Sequence, residues 1–147
     1  MKKLFLTLTI CFIIILATGA CGEEFVKPQF FAVKIEGYGP FVLKFDTGAD
    51  HTLIEKKALI KSGGEWKLKR QYDVYTAASN PLKDVYYFIT SNIEIEEIQA
   101  GGIYRIFVVE GGYESVPYDG LLGRDILTNF DVTIIKGEVT LIRRTGE

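Results

Sequence analysis

From Phe31 onward, apolar side chains return at every second position, and turn-forming residues interrupt the rhythm after a few residues each time. Phe31, Val33 and Ile35 alternate with Ala32, Lys34 and Glu36, the period of a strand with one buried face. Gly37-Tyr38-Gly39-Pro40 breaks the pattern as a turn, and Phe41, Leu43 and Phe45 resume it. Further strands are predicted over 68–76 and 84–90, on either side of a turn-like link at 77–81, and over 93–98 and 103–109. A last hairpin is expected from 132–135 and 139–142 around Lys136-Gly137-Glu138. Residues 55–62 fit a short helix stopped by Gly63, and a second helix is expected after Gly123. Short strands separated by turns predict a mainly β, single-domain fold: a small closed β-barrel with one or two short helices, with a β-sandwich as the alternative that the strand pattern alone does not separate from it. No internal repeat, low-complexity tract or linker follows residue 28.

The first residues follow a different logic. Lys2 and Lys3 precede an uncharged apolar run, Leu4 to Ala17, and small residues lead to Cys21. The run is shorter than the roughly 20 apolar residues a spanning helix needs, so residues 1–20 are expected to be an export signal. Cys21 after small residues suggests a lipoprotein signal in which that cysteine carries the lipid; an ordinary secretory signal and an uncleaved anchor are the alternatives. Residues 21–28 would then be a short tether and 29–147 the domain, exported and held at the periplasmic or extracellular face of a membrane. The only other cysteine, Cys11, lies in the signal, so no disulfide is expected. Without Lys2 and Lys3, 15 basic residues stand against 19 acidic ones, a net charge of −4 that argues against nucleic acid.

One apolar strand runs directly into Asp46-Thr47-Gly48-Ala49. A carboxylate on a tight turn at a strand end is rigidly presented, and Gly48 lets a second backbone approach closely. Alone, these residues describe an ordinary turn equally well. Gly120-Leu121-Leu122-Gly123-Arg124-Asp125 then stands near the C-terminus, an aliphatic run that again turns on glycine.

Together the two segments resemble the retropepsin-like aspartic proteases, whose members carry Asp-Thr-Gly-Ala after an apolar strand and a Gly-Arg-Asp/Asn segment near the C-terminus. Asp50 and Thr52-Leu53-Ile54 extend the first match, and Ile126-Leu127-Thr128 and Phe130-Asp131-Val132-Thr133-Ile134 extend the second; the resemblance covers roughly 31–141. It implies a barrel of the retropepsin type and an endopeptidase that needs no cofactor, in which two neighbouring aspartates share a proton around one water. The chain holds one Asp-Thr-Gly and no Asp-Ser-Gly, and Asp119-Gly120 reads as a turn. A homodimer placing Asp46 of each subunit at its axis is therefore implied, acting on a peptide or protein. By the same resemblance Thr47, Gly48 and Ala49 support the site, and Asp50 and Arg124 form a structural ion pair.

The resemblance also calls for a flap over the substrate. Thr76, Ala77 and Ala78 are the candidates, although no glycine lies between Gly64 and Gly101, and an ordinary surface hairpin is as good a reading. His51 is expected at the rim of the cleft, and Trp66 packed over the barrel. Glu94, Glu96 and Glu97 are expected on the solvated face of a strand, and no metal site is expected. The alternative function is a peptide-binding or assembly lipoprotein that keeps the fold without turnover.

Overall fold

A computed structural model describes residues 29–72, 82, 84–111 and 115–144. The expected signal at 1–20, Cys21, the tether and the flap residues Thr76, Ala77 and Ala78 lie outside the described residues.

The elements are β1 (Phe30–Ile35), β2 (Tyr38–Phe45), β3 (Leu53–Glu55), α1 (Lys56–Lys61), β4 (Lys69–Gln71), β5 (Val85–Thr90), β6 (Ile93–Ile95), β7 (Ile98–Gln99), β8 (Tyr104–Val109), β9 (Gly120–Leu122), α2 (Arg124–Leu127), β10 (Phe130–Ile135) and β11 (Glu138–Arg143). The chain is mainly β with two short helices, as the strand rhythm predicts. Nine strands form one sheet in the order β4-β5-β8-β3-β9-β2-β1-β6-β7, and β10 pairs with β11 alone. Among the described residues this ladder is open, with β4 and β7 at opposite edges, and it corrects the expected closed barrel. Closure would need hydrogen bonds between those edges, and the C-terminal hairpin spends its ladder on itself.

Alternation in the sequence becomes sidedness in the fold. Val33, Ile35, Leu43, Ile54, Ile93, Ile106, Val108, Leu122 and Ile126 are fully buried in one cluster. Burying each such aliphatic side chain contributes on the order of 2 kcal/mol, enough to fix which face of each strand turns inward. Trp66 packs against this core, its ring edge-on to Tyr38 at 5.4 Å and its indole N–H donating to the Leu59 carbonyl at 3.2 Å.

Two expected elements change. The predicted strand over 93–98 is a hairpin, β6 and β7, joined by Glu96 and Glu97. Only Glu94 lies on a strand, paired with Lys34 across β1. Glu96 sits in the turn, where its carboxylate accepts the Ala32 N–H at 2.8 Å. The predicted strand over 68–76 is reduced to β4 among the described residues.

Three two-residue turns close hairpins with both residues at positive φ: Glu36 and Gly37, Glu96 and Glu97, Lys136 and Gly137. Such turns match the twist of the flanking strands and favour glycine in second place. Glu97, at φ 70°, holds that place without being glycine. Glu97→Gly is expected to raise stability by about 0.5–1 kcal/mol, because an L side chain strains this conformation; urea unfolding will show a higher midpoint at unchanged slope.

Candidate functional site

Strands β2 and β3 are joined by the loop 46–52, yet they are not neighbours: β9 lies between them. It pairs in parallel with β2, Leu43 opposite Gly120 and Phe45 opposite Leu122, and antiparallel with β3, Leu53 opposite Leu121. The two sequence segments singled out above are thus interleaved. Two glycines permit this approach. A Cβ on Gly120 would stand 2.0 Å from the Leu53 carbonyl oxygen, and one on Gly123 would stand 2.4 Å from the His51 carbonyl carbon. No other residue fits at either place.

Backbone bonds then stitch the loop to the segment. The Asp46 N–H donates to the Leu122 carbonyl at 3.1 Å, Arg124 N–H to Ala49 at 2.9 Å, and Asp125 N–H to Asp50 at 3.2 Å. Asp46 follows β2 directly and is half-buried. Its Oδ1 accepts the Gly48 N–H at 2.9 Å, and its carbonyl accepts the Ala49 N–H at 3.2 Å, so the turn holds the carboxylate by its own backbone. Thr47 and Gly48 are exposed beside it.

Asp50 and Arg124 meet as an ion pair, with side chains 67% and 60% exposed. In water such a pair is worth no more than about 1 kcal/mol, so it is not what fixes the loop. Fixing falls to Thr52 and Asp125. Asp125 accepts the Thr52 N–H at 2.9 Å, the Thr52 hydroxyl at 2.8 Å and the Ile126 N–H at 2.9 Å. The Thr52 hydroxyl in turn accepts the Gly123 N–H at 3.0 Å. Thr52 is fully buried, where hydrogen bonds to a charged group are worth most. Both residues sit in the motifs quoted above, but neither was assigned this role. The available signal was a hydroxyl residue placed directly before the apolar pair Leu53-Ile54.

Asp119 does more than form a turn. Its carboxylate accepts the Val42 N–H at 2.9 Å while its backbone bonds Val42 and Glu55, so it pins the start of β9 between its neighbours. His51 is exposed, with its ring centroid 4.9 Å from that of Phe107 and Nδ1 3.9 Å from the Asp125 carboxylate.

No protein-family model matches this chain, and no curated protein is similar to it. Solved structures are. The chain is similar to a retropepsin-like aspartic protease from Rickettsia conorii, with a TM-score of 0.56 and 20% identity over 76% of this chain and 80% of that one. It is also similar to EIAV protease complexed with the inhibitor HBY-793, with a TM-score of 0.46 and 19% identity over 73% of this chain and 89% of that one. The fold is that of the retropepsin-like proteases, on the strength of the Rickettsia structure.

The two interactions across the loop should separate cleanly on substitution. Thr52→Val removes the hydroxyl and strands both the Gly123 N–H and one Asp125 bond, and it is expected to cost about 2–3 kcal/mol. Arg124→Gln, at the exposed pair, is expected to cost about 1 kcal/mol or less. Thermal unfolding of both variants checks the order, and equal losses would mean that the surface pair carries the loop.

Proposed function

We propose that this chain is an aspartic endopeptidase that works as a homodimer, each protomer supplying one Asp46. The observation that carries the reading is Asp46 itself: a half-buried carboxylate held by its own turn on a loop locked between β2, β9 and β3. Two such carboxylates across a two-fold axis cannot both ionise, so they share a proton. The ionised one takes a proton from a water between them as that water attacks the peptide carbonyl. The protonated one donates a hydrogen bond to the developing oxyanion, and no covalent intermediate forms. Thr47, exposed at the same turn, would brace the loop of the opposite subunit.

A chain with a single Asp-Thr-Gly needs a second copy, and two features support the dimer. Val132 and Ile134 on one face of the β10–β11 hairpin, and Ile135 and Ile142 on the other, leave exposed apolar side chains on both of its sides. Gln29 ties that hairpin to the Asp46 end of β2: its carbonyl accepts the Phe45 N–H at 2.8 Å and its amide donates to the Gly137 carbonyl at 2.9 Å. Burying the hairpin against a second copy would bring the two Asp46 turns toward one axis. A peptide would lie extended across that axis, held through its backbone with side chains in apolar pockets.

Cleavage of a mixed peptide library by the wild-type chain tests this reading. Asp46→Asn is expected to lower kcat/KM by on the order of 10³-fold or more while sedimenting as the same dimer. Cleavage by Asp46→Asn within tenfold of wild type would sink the assignment, as would a strict monomer that cleaves. A peptide-binding protein without turnover would bind equally well with either residue.

We also propose that the chain is exported and held at a membrane through lipid on Cys21, from the apolar run and small residues that precede it. Several acyl chains would anchor it stably, and tethering would raise the local concentration of subunits for pairing. In cells fed a labelled fatty acid, the wild-type chain is expected to take up label and the Cys21→Ala chain none; equal labelling of both would rule this out.

A further inference from the structure

A cavity of about 500 Å³ opens beside the loop 46–52, between the start of β8 and the end of α2. Its lining includes His51, Arg105, Asp125, Thr128 and Asn129. The polar groups divide into those already committed and those free. Asp125, the one carboxylate, accepts from Thr52 and Ile126. The Thr128 hydroxyl donates to the Asp125 carbonyl at 3.2 Å, and the Asn129 amide donates to the Tyr104 hydroxyl. Burial raises the Tyr104 pKa above the usual phenol range, against the lowering effect of Asn129, so this hydroxyl adds no negative charge at neutral pH.

The guanidinium groups are differently placed. The Arg105 guanidinium lies over the Tyr87 ring, its Cζ 4.7 Å from the ring centroid, and among the described residues no carboxylate lies within ion-pair distance of it. A guanidinium over a ring face is attracted by the ring's quadrupole while its N–H donors stay available to an acceptor. Arg143 reaches over Gly101 from β11, its Nη2 2.8 Å from where a Cβ would stand, and likewise has no carboxylate partner among the described residues. His51 also lines the cavity, against Phe107 and with Nδ1 3.9 Å from the Asp125 carboxylate. The chain as a whole carries a net charge of −2, so a guanidinium with no carboxylate partner, in the wall of a cavity whose own carboxylate is engaged, runs against the average.

From these placements we infer that the cavity between β8 and α2 is a binding site for an oxyanion, a carboxylate or a phosphate, held by Arg105 with His51 beside it. A planar guanidinium fork suits a two-oxygen anion, and the aromatic rings against Arg105 and His51 limit the rotamer entropy lost on binding. The inference does not depend on Asp46 or on peptide cleavage. It does bear on the loop: His51 lies between Asp50 and Thr52, the residues that join 46–52 to the 120–125 segment.

Thermal unfolding of the full chain, titrated with sodium phosphate and separately with sodium acetate at fixed ionic strength, tests the site. A saturable rise in Tm with either anion, at least tenfold weaker in apparent affinity for Arg105→Gln, is the expected result. Saturation by phosphate alone identifies a phosphoryl group as the ligand, and saturation by acetate identifies a carboxylate. If Arg105→Gln itself lowers the ligand-free Tm, His51→Gln reads the same cavity from the loop side. The proposal fails if chloride at matched ionic strength gives the same rise, or if neither variant changes the affinity, for then the effect is that of an adventitious ion only.

Discussion

The hydrogen bonds between Thr52 and Asp125 hold together parts of the chain that are 73 residues apart in sequence. Through them the loop that carries Asp46 becomes part of the sheet rather than a surface connection. A hydroxyl that donates to a carboxylate and accepts a backbone N–H has its bonding capacity used in both directions. Either partner left alone in that place would be a polar group without water, which is far more costly than the bond itself is favourable. That asymmetry makes the crossing all-or-none: loop, β9 and α2 are held together or not at all.

Glycine is the steric counterpart of that network. Gly120 and Gly123 let β9 and the turn after it lie against β3 and the loop at distances where any side chain would collide with backbone. Asp119 sets the start of the same strand by bonding Val42. The three-residue β9 is therefore placed by its ends, with glycine where the backbones touch and carboxylates where they must be fixed. The exposed Asp50–Arg124 pair lies outside this arrangement and adds to it only weakly.

Much of the fold was legible because alternation is a local property. Phe31, Val33 and Ile35, and then Phe41 and Leu43, were predicted inward and are buried. The hairpin around Lys136-Gly137 follows from residues that lie side by side. Where prediction failed, a local signal had two readings. Ile93, Glu94 and Ile95 alternate, but Glu96 and Glu97 turn the chain although neither is glycine, which the pattern of isoleucine and glutamate does not announce. Likewise Asp50 and Arg124 drew attention as opposite charges, while Asp125 and Thr52 carry the stronger bonds because one of them is fully buried, and burial belongs to the assembled fold.

By itself the sequence determined the strand rhythm, the turn that presents Asp46, and the pair of segments whose likeness pointed to the retropepsin fold. Each of these is written in residues a few positions apart, where sterics and side-chain period act directly. Only the tertiary structure decided that β9 enters between β2 and β3, that the sheet is open at β4 and β7 among the described residues, and that Arg105 and His51 line one cavity. Those outcomes depend on which distant strands become neighbours, and that choice follows from burying the whole core at once rather than from any single stretch of chain.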